Sequence, residues 1–291
     1  MFSGFGVQVR VWAVAVLALS YVALPSAAQT PSPIIESEFW LDQVEAGDLP
    51  PAAQRIPTQP LVVDLEAKNR SYGRHGGTLR TMVSRSKDIR QMVVYGYARL
   101  VGYDAAYTIV PDLLRDVTVE EGRKFTLHLR AGHRWSDGAP FTSADFAYWW
   151  DHVANNAELS PNGPPDIMRV GDHVAQVSFP DPLTVVIEWP VANDEFLSRL
   201  AGARPPFIYR PAHYLKQFHV DFADPEELKK LTRAKRVRSW AALHNRVDNM
   251  YKFDNDQLAT LQPWMAARTG EGTRNLFVRN PFYHRVDARG R

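Results

Sequence analysis

The chain has no cysteine among its 291 residues, and this absence removes several kinds of chemistry at once. Without thiols there is no disulfide framework, no zinc–thiolate site and no cysteine nucleophile. A strong net charge is also missing, because 34 basic and 32 acidic side chains give a formal net charge of +2. A charge this small provides no global attraction to nucleic acid, so partners must be inferred from individual segments.

The sequence also lacks the short motifs of several large enzyme and cofactor-binding classes. It has no G-x-S-x-G elbow, no H-E-x-x-H zinc motif, no G-x-G-x-x-G dinucleotide loop and no Walker phosphate loop. Paired carboxylates leave no local motif, so these absences weaken the hypothesis of an enzyme without excluding it. We expect no cofactor.

The first 28 residues are typical of a secretory signal peptide. Arg10 provides the positive charge, an apolar run follows from Val11 to about Leu24, and Ser26 and Ala28 are the small residues before a cleavage site. The run has about 14 apolar residues, fewer than a membrane-spanning helix needs. No cysteine follows that could carry a lipid, so we expect a cleaved, unanchored protein in the periplasm.

Residues 29–75 are rich in proline and show no sustained apolar periodicity, which predicts an extended arm. The folded part is expected to begin at "HGGTLRTMVS". There Gly76 and Gly77 mark a turn, and Leu79 and Val83 belong to a predicted short strand.

One run, from Lys124 to Val153, carries an unusual density of structural signals. The alternation in "KFTLHL" predicts a half-buried strand, and Asp137-Gly138 predicts a turn. Thr142, with Asp145 three residues later, is typical of a helix capping box, and apolar residues then recur on one face of the predicted helix. The run therefore predicts a strand, a turn and a capped helix in succession.

Later segments predict a second set of elements. "VAQVSFPDPLTVVIEWP" predicts two strands around a Pro-Asp-Pro turn, followed by a helix over about 193–201. Asp224 before Pro225 predicts a capped helix. The segment "SWAALHNRVDNM" predicts a further helix after it. A final strand is expected through Leu276–Val278.

A run of basic residues and a pair of histidines suggest a nucleic-acid interface and a metal site, but the positions of these residues in the sequence favour neither. "LKKLTRAKRVR" resembles a basic patch for nucleic acid, but Glu226 and Glu227 one turn earlier indicate a solvated helix with ordinary charge pairs. His213 and His219 lie six residues apart, whereas ligands on one helix face are three or four apart. We therefore predict neither a nucleic-acid interface nor a metal site.

At "LHLRAGHRWSDGAPFTSADFAYWW" the sequence resembles the extracytoplasmic solute-binding proteins of ABC importers, in the oligopeptide and dipeptide-binding class called family 5. The motifs that match are Leu129-Arg130, Trp135–Gly138, Pro140–Thr142 and Asp145. Three further pieces follow the family's order: "HGGTLR", "DPLTVVIEW" with "FLSRLA", and "VRNPFYHRVD". The usual Thr-Gly-Pro-Tyr stretch is replaced here by "LATLQPWMAARTGEG".

The resemblance implies a mixed α/β fold, a lobe of the type II periplasmic-binding-protein kind. Residues 76–110 and 206–291 would form a discontinuous first lobe, and residues 111–205 an inserted subdomain. Members of the family are about twice as long, so the resemblance also implies that this chain is an N-terminal portion without the second lobe.

By the same resemblance, we expect a binding protein and not an enzyme. It would bind a peptide or another small solute between two lobes and deliver it to the membrane permease of an ABC importer. The candidate ligand-binding residues are Tyr95, Tyr97 and Tyr103, because the segment after the first strand borders the cleft in such folds. Trp264 joins them as part of the segment that replaces Thr-Gly-Pro-Tyr.

Two alternatives stay open. An exported hydrolase could use an Asp/Glu pair in a cleft, with His128 or Asp137 recruited to it. The chain could also be a degenerate lobe that binds no solute and serves only as an interaction module.

Overall fold

The alternating strand predicted at "KFTLHL" is the second strand of a four-stranded antiparallel sheet. In the computed structural model, which describes residues 33–252, 255–267 and 274–291, Phe125, Leu127 and Leu129 are buried while the residues between them are partly exposed. The predicted hairpin around the Pro-Asp-Pro turn supplies two more strands. The order in the sheet is β4 (Leu114–Glu120), β5 (Lys124–Leu129), β9 (Thr184–Glu188) and β8 (Gln176–Asp181). Both sequence predictions are confirmed.

The strands and helices have the following bounds. The strands are β1 Leu61–Val63, β2 Val101–Tyr103, β3 Ile109–Pro111, β4 Leu114–Glu120, β5 Lys124–Leu129, β6 Arg169–Val170, β7 His173–Val174, β8 Gln176–Asp181, β9 Thr184–Glu188, β10 Trp264–Ala267, β11 Leu276–Arg279 and β12 Arg285–Asp287. The α-helices are α1 Leu41–Glu45, α2 Ala52–Arg55, α3 Gln91–Gly96, α4 Ser143–Tyr148, α5 Phe196–Ala201, α6 Ala212–Leu215, α7 Pro225–Ala234 and α8 Trp240–Val247. None of these helices is long and apolar enough to cross a membrane.

The capped helix predicted after the Trp-Ser-Asp-Gly turn is present. Thr142 and Asp145 form a reciprocal capping box at the start of α4. The Thr142 hydroxyl accepts from the backbone N–H of Asp145, and the Asp145 carboxylate accepts from the backbone N–H of Thr142. The helix continues into one turn of π-helix, Trp149–Ala154, in which Trp149 is buried and Trp150 is half-buried. The two adjacent tryptophans therefore occupy different faces.

The main core lies between the four-stranded sheet and the helices packed on it. Phe125 on β5, Trp189 after β9 and Phe196 on α5 meet edge to face, with ring centroids 4.9–5.9 Å apart. All three side chains are buried. Such aromatic contacts add directionality to the burial of apolar surface, so they fix how α5 sits on the sheet.

The predicted cap of α7 is present, and α8 is capped as well. The Asp224 carboxylate accepts from the backbone N–H of Glu226 and of Glu227, both at 3.0 Å, at the start of α7. Ser239 caps α8 by accepting from Ala242 N–H at 3.2 Å. The C-terminal strand β11 forms where Leu276–Val278 was predicted and pairs antiparallel with β10.

Residues 33–75, the described part of the predicted arm, contain short regular elements. Strand β1 pairs in parallel with β12, and Arg55 donates to the backbone carbonyl of Pro281 at 2.6 Å. Trp40 and Phe282 are buried together in a small second cluster. This segment is therefore fixed by contacts with the C-terminal residues, which lie too far away in sequence to be recognised.

The short strand predicted at "HGGTLRTMVS" is not formed. The backbone of residues 74–83 has no regular structure, and Leu79 and Met82 are 93% and 97% exposed. A strand needs a hydrogen-bonded neighbour, and no strand of the described residues pairs with this segment. The apolar residues that predicted the strand are present, but a strand also requires a pairing segment, and the described residues supply none here.

The described residues belong to one compact unit, Pro31–Arg291. The division into a first lobe and an inserted subdomain, with boundaries near residues 110 and 205, stays a prediction. The predicted signal peptide, residues 1–28, lies outside the described residues.

Candidate ligand-binding face

Three of the four predicted ligand-binding side chains are exposed. Tyr95 on α3 is 70% exposed, Tyr103 at the end of β2 is 38% exposed, and Trp264 at the start of β10 is 43% exposed. Large aromatic side chains are usually more deeply buried, so exposed rings on neighbouring segments are candidates for contact with a ligand. These three residues are called the aromatic face below.

Tyr97, the fourth predicted residue, has a structural position. Its backbone is left-handed, with φ of 44°, and it ends α3. Its hydroxyl donates to the carbonyl of Ala201 at 3.0 Å and accepts from Tyr103 N–H at 3.1 Å. The ring of Tyr97 thus connects α3, β2 and the end of α5, which positions Tyr103.

A buried glutamine connects α3 to the segment that precedes Trp264. Gln262 lies two residues before Trp264 in sequence, and its Nε2 donates to the carbonyl of Ala98 at 3.0 Å. Gly96 approaches the same segment so closely that an added Cβ would lie 2.9 Å from Pro263. Tyr95 and Trp264 are therefore held on adjoining segments, although no direct contact between their rings is formed.

Beneath Tyr97 lies a buried cluster centred on Asp112. Its carboxylate accepts from His284 Nε2 at 2.7 Å, from Arg285 at 2.6 and 3.1 Å, and from the backbone N–H of Arg99 at 3.0 Å. Burial alone would raise the pKa of Asp112, but the bonds from His284 and Arg285 outweigh it and lower the pKa from 3.8 to about 2. Asp112 is therefore ionised at neutral pH.

The same cluster supports the aromatic face from below. Arg285 Nη2 donates to the carbonyl of Tyr97 at 2.6 Å, and the guanidinium of Arg99 lies over the Tyr97 ring at 4.7 Å. Arg99 also donates to the carbonyls of Gly202 and Ala203, at 2.9 and 2.7 Å. Sequence analysis did not identify this cluster, because Asp112 and Arg285 lie 173 residues apart and the members share no local motif.

Two concavities of the described surface lie away from the four predicted residues, none of which is part of their linings. The larger of these two lies between the N-terminal segment and the C-terminal residues, with Trp40, Arg55 and Tyr283 in its lining. The three rings of the aromatic face are exposed to solvent.

Asp137, the residue considered for a carboxylate pair, is paired with a histidine. His213 Nε2 lies 2.7 Å from Asp137 Oδ2, and both side chains are partly exposed. This hydrogen bond lowers the pKa of Asp137 against the effect of burial, and it raises the pKa of His213. His128 lies elsewhere, on β5, where its ring is 3.2 Å from the hydroxyl of Thr118. The geometry gives no support to an Asp/Glu pair at Asp137.

The fold is similar to that of solved periplasmic binding proteins. The structure matches that of an oligopeptide-binding protein OppA with a TM-score of 0.79 and 31% identity, covering 89% of this chain and 40% of that one. It also matches the periplasmic binding protein MelB of Agrobacterium fabrum C58 in complex with stachyose, with a TM-score of 0.66 and 21% identity, covering 89% of this chain and 39% of that one. The latter likeness shows the fold alone.

Curated sequences give the same result. A periplasmic alpha-galactoside-binding protein of Rhizobium meliloti (strain 1021) is 24% identical over 275 residues, which cover 86% of this chain and 36% of that protein. The chain thus spans about two fifths of the length of the relatives it matches. They are binding proteins by name, and the predicted mixed α/β fold of the periplasmic-binding-protein kind is confirmed.

The profile described as bacterial extracellular solute-binding proteins, family 5, middle, matches residues 108–290, which is more than half of the sequence. The family resemblance predicted from the Trp-Ser-Asp-Gly run is confirmed, and the chain belongs to the family 5 bacterial extracellular solute-binding proteins.

Proposed function

We propose that this chain supplies one lobe of a periplasmic solute-binding receptor, which delivers its ligand to the permease of an ABC importer. The aromatic face forms one wall of the ligand site, and a second lobe forms the other. The observation that carries this proposal is the set of three exposed rings on tightly braced segments.

Hydrogen bonds hold the backbone of the aromatic face in place, which favours ligand binding. Residues that bind a ligand lose less entropy when they are already held in place, and here Arg285, Arg99 and Gln262 fix the backbone from which the rings project. Aromatic rings offer large contact area with few rotatable bonds, and they suit both the side chains of a peptide and the faces of a sugar.

We propose a peptide as the cargo. Among the relatives described above, the oligopeptide-binding protein has the higher identity and the higher TM-score. MelB in complex with stachyose and the alpha-galactoside-binding protein make an oligosaccharide the competing ligand class. The signal peptide predicted at residues 1–28 supports a periplasmic location.

The first experiment determines whether a second lobe is encoded with this chain. The transcript is read past codon 291. A frame that continues for about 250 codons would supply a lobe of ordinary domain size and support the proposal. A stop codon directly after Arg291 would contradict the clamp, since no second wall would be supplied by the same polypeptide.

The second experiment measures ligand binding by thermal shift with a pool of tripeptides to pentapeptides and, separately, with stachyose. Residues 1–291 alone should bind only at about millimolar concentration, because in the proposed clamp a second lobe would supply about half of the contacts while the cost of association is unchanged. Any longer product should bind with micromolar affinity. Stabilisation by stachyose and not by peptides would overturn the peptide proposal.

Alanine variants of Tyr95, Tyr103 and Trp264 connect binding to the face. Each should weaken ligand binding roughly 10-fold or more, as for an aromatic side chain at the centre of an interface. Phe39→Ala is the matched control, since Phe39 is an exposed aromatic residue on the N-terminal segment. Unchanged affinity in all three variants would place the ligand elsewhere.

A further inference from the structure

Two histidines and one aspartate meet beyond the C-terminal end of α4, and none of them belongs to the aromatic face. His152 is in the π-helical turn, and His219 and Asp221 follow the 3-10 turn Lys216–Phe218. His152 Nδ1 lies 3.0 Å from Asp221 Oδ2, and His219 Nδ1 lies 3.6 Å from the same oxygen. One ligand atom from each of the three residues lies within 4.8 Å of the other two.

These distances are close to those of a tetrahedral metal site. Zinc–nitrogen and zinc–oxygen bonds of about 2.1 Å place neighbouring ligand atoms roughly 3.4 Å apart. Two edges of the triangle, 3.0 and 3.6 Å, bracket this value, and the third edge, between the two histidine nitrogens, is at most 4.8 Å. Neighbouring histidine and carboxylate ligands from separate segments are the donor set that Zn²⁺ and related ions prefer.

The ring of His219 is already oriented as a metal ligand requires. His219 Nε2 is 2.9 Å from the carbonyl oxygen of His152, and because a carbonyl only accepts, the proton must be on Nε2. The lone pair is then on Nδ1, which faces Asp221. Metal-ligating histidines commonly donate their other N–H to a backbone carbonyl in this way.

In the structure, the lone pair of His219 Nδ1 accepts one hydrogen bond from a backbone N–H group. The N–H of Asp221 donates to His219 Nδ1 at 3.2 Å, a long bond that a metal ion would replace.

The surroundings provide a dry wall on one side and an opening on the other. The ring of Phe222 packs 4.6 Å from His152, and the ring of Trp240 packs 4.7 Å from His219. His219 is fully buried, whereas His152 and Asp221 remain partly exposed. A cation can enter from the exposed side, where a water molecule would complete its coordination.

We propose that His152, His219 and Asp221 form a binding site for a divalent transition-metal ion, with Zn²⁺ as the best-fitting ion. The ligand atoms are the two Nδ1 atoms and one Asp221 carboxylate oxygen, and the fourth position is open to water. Without an ion, His152 Nδ1 donates its proton in the 3.0 Å bond to Asp221, so binding of the ion moves that proton to Nε2 or to solvent. The bound ion clamps the π-helical turn after α4 to the loop after residue 218.

The experiment uses the purified chain without an affinity tag, stripped of metal with a chelator. Titration with Co²⁺ should saturate at one ion per chain and give the intense visible bands of a tetrahedral site, which one equivalent of Zn²⁺ removes. Zn²⁺ at 100 times its Kd should raise Tm by about 5–10 °C.

Variants assign the ligands. His152→Ala and Asp221→Asn change partly exposed side chains, so both should fold, and each should weaken Zn²⁺ binding at least 10-fold. His173→Ala is the matched control, because His173 is an exposed histidine on β7. The proposal is overturned if folded wild-type chain shows no saturable Co²⁺ spectrum, if both ligand variants bind as tightly as wild type, or if His173→Ala abolishes binding.

Discussion

The indole N–H of Trp135 donates to the carboxylate of Asp145 at 3.2 Å, and this bond joins the Trp-Ser-Asp-Gly turn to the cap of α4. The same carboxylate accepts from the backbone N–H of Thr142 at 3.0 Å and of Ala212 at 3.1 Å. Asp145 therefore organises three segments: the turn, the capped helix and the start of α6. Its burial raises its pKa to about 6, and the three donors act against that shift.

Trp135→Phe tests the value of this bond. The smaller ring removes the N–H donor from a fully buried position and leaves space beside Phe141 and Tyr209. We expect a loss of about 2–4 kcal/mol in the free energy of unfolding, from urea denaturation. Trp150→Phe is the control, because Trp150 is half-buried, and it should cost less than half as much. Equal losses would contradict a special role for Trp135.

The capping box of α4 and the strand β5 could be predicted because the residues that indicate them are close together in sequence. Thr142 and Asp145 are three residues apart, and the alternation of β5 is contained in six residues. Asp112 and His284 are 172 residues apart, and His152 and His219 are 67 apart, so no window of sequence contains either cluster. Their assembly depends on tertiary packing.

The missing strand at Leu79 shows a different limit. The apolar residues were correctly identified, but a strand is a property of two segments, and a sequence pattern describes one. The tyrosines illustrate the same point. A pattern of exposed and bracing aromatics cannot be read from "VVYGYARLVGY", in which Tyr95 and Tyr97 look equivalent.

The buried cluster around Asp112 predicts acid sensitivity in two steps. The pKa of Asp112 is about 2 in the folded chain and 3.8 in its ordinary state, so ionised Asp112 contributes stability above pH 4. That contribution, about 2 kcal/mol, is lost as the pH falls from about 4 to 2.

The first step, at higher pH, comes from His133. Burial lowers the pKa of His133 well below 6.5, and the neighbouring His284 and Arg130 act in the same direction, opposed by Asp112. The unfolded chain therefore binds a proton that the folded chain does not, and stability falls as the pH drops below about 6.5. Its ring packs 5.3 Å from Phe141 and 5.2 Å from His284.

His133→Phe measures this step. The variant keeps an aromatic ring at this position and removes the titrating group, so its urea midpoint should fall less than that of wild type between pH 7 and pH 5. His173→Gln, at an exposed histidine, should follow the wild-type curve. If His133→Phe retains the full wild-type slope, His133 does not stay neutral in the folded chain.

The exposed segment at Leu79 and Met82 predicts self-association. Two apolar side chains above 90% exposure, on a backbone without strand partners, favour pairing with another chain. Sedimentation velocity over a 30-fold range of concentration should detect dimers or larger species, and Leu79→Ser with Met82→Ser should shift the population to monomer. Tyr107→Ser changes another highly exposed side chain and serves as control. A wild-type chain that stays monomeric throughout would refute the prediction.

Tyr95→Phe and Tyr97→Phe separate a ligand-facing tyrosine from a bracing one. The Tyr97 hydroxyl is bonded to Ala201 and Tyr103, and its removal leaves a carbonyl and an N–H without these partners. Tyr97→Phe should lower the free energy of unfolding by about 1–2 kcal/mol. The Tyr95 hydroxyl donates only to the exposed side chain of Gln91, at 2.8 Å, so Tyr95→Phe should change stability by less than about 0.5 kcal/mol. Urea denaturation of both variants gives the comparison, and a larger loss for Tyr95→Phe would reverse the two roles.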